Sequence, residues 1–241
     1  RKDKKIKNFA LQINFITIFS YFYTNLVFQL LKRAIDLATK KEFFSSAYQI
    51  ETQDDINSLY TNWANSYDNE LRQMGYRSPI RCAAALGKFV SIQTPILDFG
   101  CGTGLSGYAL KKIGFKKIFG TEINENMRNI AQQKKIYARI LETDIDSPFP
   151  LGKQFNAICA VGVISSGAGP PSLLCESLNC LRKGGFICFS YNDHTLNVRA
   201  YMDAISSVTK SGDYKEVFCE YGDHLISKGL GSAVYVLQKR T

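Results

Sequence analysis

The stretch Asp98-Phe99-Gly100-Cys101-Gly102-Thr103-Gly104 carries the most chemistry per residue in this chain. An apolar run ends in an acid and enters three alternating glycines. Glycines permit positive φ and remove the Cβ that would bar close approach of backbone to a ligand. A helix starting behind them would present unpaired N–H groups. Further on, Glu122 and Asp144 each follow a short apolar run, and a carboxylate at such a place can accept from two hydroxyls or from an amine. The pattern is that of a binding loop for a polar cofactor. Gly102, Gly104 and Gly107 also fit the G-x-G-x-x-G dinucleotide spacing, with Glu122 near where a ribose-binding acid belongs. A nicotinamide-dependent oxidoreductase is therefore the alternative. Asp98 argues against it, because an acid at the loop entry repels a pyrophosphate and suits an ammonium.

The surrounding elements alternate. Thr52 with Asp55 three residues later has capping-box spacing and predicts a helix to about Gln73, with Tyr60, Trp63, Ala64 and Tyr67 on one stripe. Ser78-Pro79 predicts a second helix to about Val90. PILDFG reads as a buried strand, 105–113 as a helix stopped by Gly114, KIFGTEI as a strand, and Asn124 as the cap of a helix over 125–134. IYARILETDI, FNAICAVGVI and GGFICFSY read as three more strands, with helices over 172–181 and 195–210. YKEVFCEY and GSAVYVLQ close the chain as an antiparallel pair. This predicts an α/β fold: a doubly wound, seven-stranded, mostly parallel sheet with an antiparallel C-terminal strand and helices on both faces.

With all landmarks in order over about residues 55–241, DFGCGTG resembles motif I of the class I S-adenosylmethionine-dependent methyltransferases. Phe119 to Ile123, Glu142 to Ile145 and Leu181 to Gly185 resemble their later motifs. Leu59-Tyr60-x-x-Trp63-Ala64-x-x-Tyr67-Asp68, Gly75-Tyr76-x-x-Pro79 and Gly231 to Val236 resemble, more narrowly, the Williams-Beuren-region methyltransferase-like proteins. The resemblance implies S-adenosylmethionine as cofactor. It implies that Gly100, Cys101, Gly102, Thr103 and Gly104 cradle its methionine part, and that Asp98 places its ammonium or orders the loop. Glu122 would accept the ribose hydroxyls, Ile123 and Ile145 would sandwich adenine, and Asp144 would accept from its amine. Val161 and Gly162 would line the methyl side. Trp63 and Tyr67 would form a lid or belong to the core. No nucleophile motif is expected, since holding acceptor and methyl in line does most of the catalysis. Tyr67 and His194 are the candidates for a catalytic role. The resemblance is broken at Asn156, where many relatives carry aspartate, and at Ser165-Ser166-Gly167, where many carry a histidine. A sensor that binds the cofactor without catalysis is thus a further alternative.

Composition bounds the partners. The net charge is +9, but residues 1–41 hold nine bases against two acids and 42–241 hold 21 against 19. The body is close to neutral, so no nucleic-acid partner is expected; nor does an Asn-Pro-Pro-Tyr-type motif follow the fourth strand. A small-molecule acceptor is the expectation. The seven cysteines form no C-x-x-C pair, which predicts free thiols in a reducing, cytoplasmic setting and no metal site. Residues 42–241 are expected to form the methyltransferase domain. Residues 1–41 are a basic-flanked hydrophobic segment with 16 apolar residues among the 23 of 9–31. As a helix that window would span about 34 Å, enough for a membrane anchor. Packing on the domain and foreign origin are its other readings. The chain begins with Arg1 and reads as a fragment or a processed product.

Overall fold

The computed structural model describes residues 27, 43, 52–141, 143, 147, 149, 150 and 154–240. All but Val27 belong to one compact unit, Phe43–Thr241. Val27 apart, the segment 9–31 lies outside the described residues, as do Asp144 and Ile145. Among the described residues, no helix is long and apolar enough to cross a membrane.

The elements follow in the order α1 (Gln53–Gln73), α2 (Ser78–Leu86), β1 (Ile96–Phe99), α3 (Leu105–Ile113), β2 (Ile118–Thr121), α4 (Glu125–Gln133), β3 (Arg139–Leu141), β4 (Phe155–Val161), α5 (Ser172–Asn179), β5 (Leu181–Asn192), α6 (Asp193–Leu196), α7 (Arg199–Lys210), β6 (Tyr214–Leu225) and β7 (Leu230–Lys239). The seven strands pair in the order β3-β2-β1-β4-β5-β7-β6. Only β7 runs against the rest, hydrogen-bonded between β5 and β6. This is the expected architecture.

Side-chain alternation along the strands builds two cores. Ile158 and Ala160 of β4 join Leu97, Phe189 and Tyr235 on one face, with α5 and α7 over them. Ala157 and Cys159 join Ile96, Cys188 and Val236 on the other, with α2 and α3 over them. The central strands are apolar on both faces because helices cover both.

Boundaries differ from expectation in two helices. α2 ends at Leu86 rather than near Val90, because the chain tightens into i→i−3 bonds from Lys88 to Ala85 and from Phe89 to Leu86. Phe89 then stacks on Phe186, with ring centroids 5.9 Å apart. The helix expected over 195–210 is two helices. Asn192 caps α6 by accepting from Thr195 N at 3.0 Å, and Val198, in extended conformation, restarts the chain as α7.

Candidate functional site

Strand order reverses between β1 and β4, and ligands in open α/β sheets bind at such a switch point, beyond the carboxyl ends of the strands. A cavity of about 320 Å³ opens there. Its walls come from the end of β1 (Phe99, Gly100), the end of β2 (Thr121, Glu122) and the end of β4 (Val161, Gly162). The size falls at the low end of ligand pockets, about 300–1,000 Å³.

The turn after β1 is made by glycine geometry. Gly100, Gly102 and Gly104 all have positive φ, at 62°, 54° and 95°. A Cβ on Gly100 would lie 2.4 Å from Val163 Cγ2, whereas one on Gly102 would meet nothing within 4 Å. Gly102 is the place where the cavity floor is bare backbone.

Glu122 binds this turn to the next element. Its Oε2 accepts from Gly102 N and its Oε1 from Asn124 N, both at 2.8 Å. Burial raises its pKa, and those two backbone donors oppose the rise. The carboxylate thus does structural work as well as facing the cavity. Glu122→Gln replaces one acceptor oxygen by a donor, so one of the two N–H groups loses its partner. Denaturant titration should show a loss of about 1–3 kcal/mol of stability, and calorimetry a weakening of the cofactor by about 1.5–3 kcal/mol. Unchanged stability would mean that neither bond matters to the fold.

Asp98 lies beneath the turn instead of on the cavity wall. It is fully buried. Its Oδ2 accepts from Ser106 Oγ and from Tyr137 Oη, each at 2.7 Å. Its Oδ1 has no partner among the described residues. Burial pushes its pKa up to about 7 against the pull of the two hydroxyl donors. The third glycine of the dinucleotide spacing has a local use. A Cβ on Gly107 would sit 2.3 Å from Tyr137 Oη, so this glycine makes room for the tyrosine that reaches Asp98.

Helix α1 lies over the site and is pinned at three points. Asn124 Nδ2 donates to Asn57 Oδ1 at 2.6 Å and to Thr61 Oγ1 at 2.8 Å. Thr103 Oγ1 donates to Asp68, and Lys134 pairs with the same carboxylate. At its far end Ser227 N donates to Met74 O at 3.1 Å. These contacts bring Tyr60 and Tyr67 to the cavity wall. Burial holds the Tyr67 hydroxyl well above its ordinary pKa.

Of the residues expected to bind cofactor, Tyr67, Gly100, Gly102, Glu122, Ile123, Val161 and Gly162 line this cavity. Cys101, Thr103 and Gly104 do not. Cys101 N donates to Thr121 O at 2.8 Å, Thr103 is spent on Asp68, and Gly104 caps α3. Trp63 does not line it either. It is 2% exposed, packed with Leu71 and Leu225, and stacked on Phe43 and Tyr60. His194 lies on α6 with an exposed side chain and is not on the cavity wall. Tyr60, Val163 and Glu176 line the cavity without having been singled out as binding residues. Tyr60 shares the helical stripe of Trp63 and Tyr67, which is a usable signal; Val163 and Glu176 carry none.

A family model described as a methyltransferase domain matches residues 97–189, from β1 into β5. Residues 97–189 are thus similar to a methyltransferase domain. Human methyltransferase-like protein 27 is 29% identical over 154 residues, covering 62% of this chain and 62% of that protein. The ribosomal protein L11 methyltransferase of Methylobacillus flagellatus is 31% identical over 115 residues, covering 45% of this chain and 36% of that protein. The chain thus spans less than two thirds of the curated relatives it matches. An S-adenosylmethionine-dependent methyltransferase structure from Thermotoga maritima covers 77% of this chain and 100% of its own, with a TM-score of 0.55 at 17% identity. That likeness speaks for the fold of the methyltransferase domain alone.

Proposed function

We propose that the chain binds S-adenosylmethionine in this cavity and uses it to methylate a small acceptor. The carrying observation is the three-glycine turn latched to Glu122 at the sheet's switch point, with bare backbone at Gly102. The cavity accepts the group on physical grounds. It offers a floor without Cβ atoms, a carboxylate at the β2 end and apolar walls at Ile123, Met127 and Val161. When bound, S-adenosylmethionine supplies an electrophilic methyl group on sulfur.

In this reading the Gly100–Gly104 backbone holds the methionine part, and Asp98 keeps that turn in shape through Ser106 and Tyr137. Glu122 accepts the ribose hydroxyls with lone pairs its backbone bonds leave available, since a carboxylate offers about four sites. Ile123 packs on adenine, with Asp144 and Ile145 completing that end. Val161 and Gly162 border the methyl, and Tyr67 closes over it from α1. Of the three similar proteins, one names a ribosomal protein as its acceptor, one names histamine as a possible acceptor and one names none, so the small molecule is proposed for this chain on its own features. The near-neutral charge of 42–241 supports it. The test is label transfer from methyl-tritiated cofactor into the low-mass fraction of a cell extract. Transfer that disappears in Asp98→Ala supports catalysis; cofactor binding without transfer favours the sensor.

The domain is proposed to begin near residue 42 and to work without the preceding segment. A chain starting at 42 should bind cofactor as the full chain does. It should stay in the supernatant with anionic liposomes while the full chain sediments, because seven of the nine net positive charges leave with 1–41. If both chains stay in solution, residues 9–31 do not bind membranes.

A further inference from the structure

Behind the main cavity lies a second, smaller one of about 50 Å³, and the two share Tyr60, Tyr67 and Gly162 as walls. Gly162 is part of both walls: its φ is +72°, and a Cβ there would lie 3.2 Å from Tyr76 Oη. The annex has room for about four water-sized atoms, at roughly 10–15 Å³ each. That is the size of one functional group.

Its polar lining joins two ring N–H donors, on Trp63 and His224, to the hydroxyls of Tyr76, Ser165 and Ser166 and the amide of Asn192. The Trp63 indole N–H is buried and has no partner among the described residues. His224, 6% exposed, is the second donor, and a hydrogen-bond chain fixes which of its nitrogens carries the proton. Arg81 Nη1 donates to Ser232 Oγ at 3.0 Å; Ser232 Oγ lies 3.0 Å from Ser78 Oγ, and Ser78 Oγ lies 2.8 Å from His224 Nδ1. Arginine can only donate. The direction that gives every hydroxyl proton an acceptor runs Arg81, Ser232, Ser78, His224. Nδ1 therefore accepts, and Nε2 bears the hydrogen. Burial lowers the pKa of His224 to about 4, so the ring is neutral at pH 7. Donation along such a chain polarises the N–H at its end. No Asp or Glu is among the described residues that line the annex.

We propose that this annex is the acceptor subsite and that the group it takes is a carboxylate. The inference rests on the cofactor assignment for the adjoining cavity. A carboxylate has acceptors only, fits the space and complements an indole N–H and an imidazole N–H at once. It also suits a site without a base. The lone-pair nitrogen of His224 is turned to Ser78, and a carboxylate near pH 7 needs no proton removed before it can accept a methyl. An alkylammonium would face the same two ring N–H groups with no carboxylate among the described lining residues to balance its charge. The carboxylate can belong to a free acid or to a peptide terminus.

Trp63 is the chain's single tryptophan, so its indole gives one cross-peak in a ¹H–¹⁵N spectrum. The full chain, saturated with S-adenosylhomocysteine, is titrated with acetate, with a capped peptide ending in a free carboxylate, and with propylammonium at equal ionic strength. The expected result is a saturable downfield shift of the Trp63 peak with acetate and none with propylammonium. A response to the peptide as well extends the subsite to protein carboxylates; its absence restricts the subsite to free acids. His224→Phe should weaken acetate about tenfold, while His224→Gln, which keeps a donor, should not. A peak that ignores both carboxylates, or moves equally with propylammonium, overturns the carboxylate subsite. So does equal acetate binding by wild type and His224→Phe. Failure of S-adenosylhomocysteine itself to bind, measured by calorimetry on the same sample, would instead sink the cofactor assignment.

Discussion

Gly100→Ala should destabilise the domain by about 2–5 kcal/mol, from roughly 1–2 for a left-handed alanine and 1–3 for overpacking. The backbone at Gly100 has φ +62°, and the new methyl would lie 2.4 and 2.7 Å from Val163 Cγ2 and Cβ. Val163 is stiff, because β-branching restricts its χ1. It also lines the main cavity, so any retreat reshapes the site. The double variant Gly100→Ala/Val163→Ala separates the two costs: trimming Val163 relieves the contact and leaves the φ strain. Urea denaturation of the three proteins checks this. Equal stability of Gly100→Ala and wild type would mean that the turn is not held in this conformation. Gly102→Ala makes the contrast, since its Cβ would meet nothing within 4 Å. That variant should fold better than Gly100→Ala and still bind cofactor poorly, because the methyl stands on the cavity floor.

Asp98→Asn should remove a pH dependence. The folded state holds the Asp98 carboxyl near pKa 7, up from 3.8, chiefly because it is buried. A raised carboxyl pKa means that the folded protein prefers the protonated form. The group's contribution to stability is fully present below pH 3.8 and is lost as pH rises through about 7. At about 1.4 kcal/mol per unit, this window amounts to about 4 kcal/mol. Asparagine keeps the shape and carries no charge. The difference in unfolding free energy between wild type and Asp98→Asn should therefore shift by about 4 kcal/mol against wild type between pH 4 and pH 8. Taking the difference cancels the other titrating groups, including Glu122, whose pKa is also raised. A difference that stays flat with pH would show that Asp98 is not buried as a carboxylate.

Local chemistry was legible in the sequence, and contacts between distant segments were not. Asn124 caps α4 from the position its type predicts, accepting from Met127 N at 3.1 Å. Gly114 stops α3 at φ +113°. The strand over 96–99 and the turn behind it are where apolar runs and glycines place them. Each of these depends on neighbours within a few residues. The latch between Glu122 and Gly102 spans 20 positions, and the chain from Arg81 to His224 joins α2 to the last two strands. No spacing rule reaches that far. Asp98 shows the same limit in another form. Its place at the end of β1 was readable, but its burial depends on Tyr137, which arrives from the segment before β3. The motif glycine at 107 was readable as a pattern and misleading as to use, because the room it leaves is filled by that tyrosine.

The central claim is that the cavity between β1, β2 and β4 binds S-adenosylmethionine. Isothermal titration calorimetry of the full chain with S-adenosylmethionine, S-adenosylhomocysteine and NADH tests it most directly. The expected result is one-site binding of the first two, weakened in Glu122→Gln, and no heat from NADH. Binding of NADH with no response to either adenosyl compound would contradict the assignment and return the glycine turn to the dinucleotide reading.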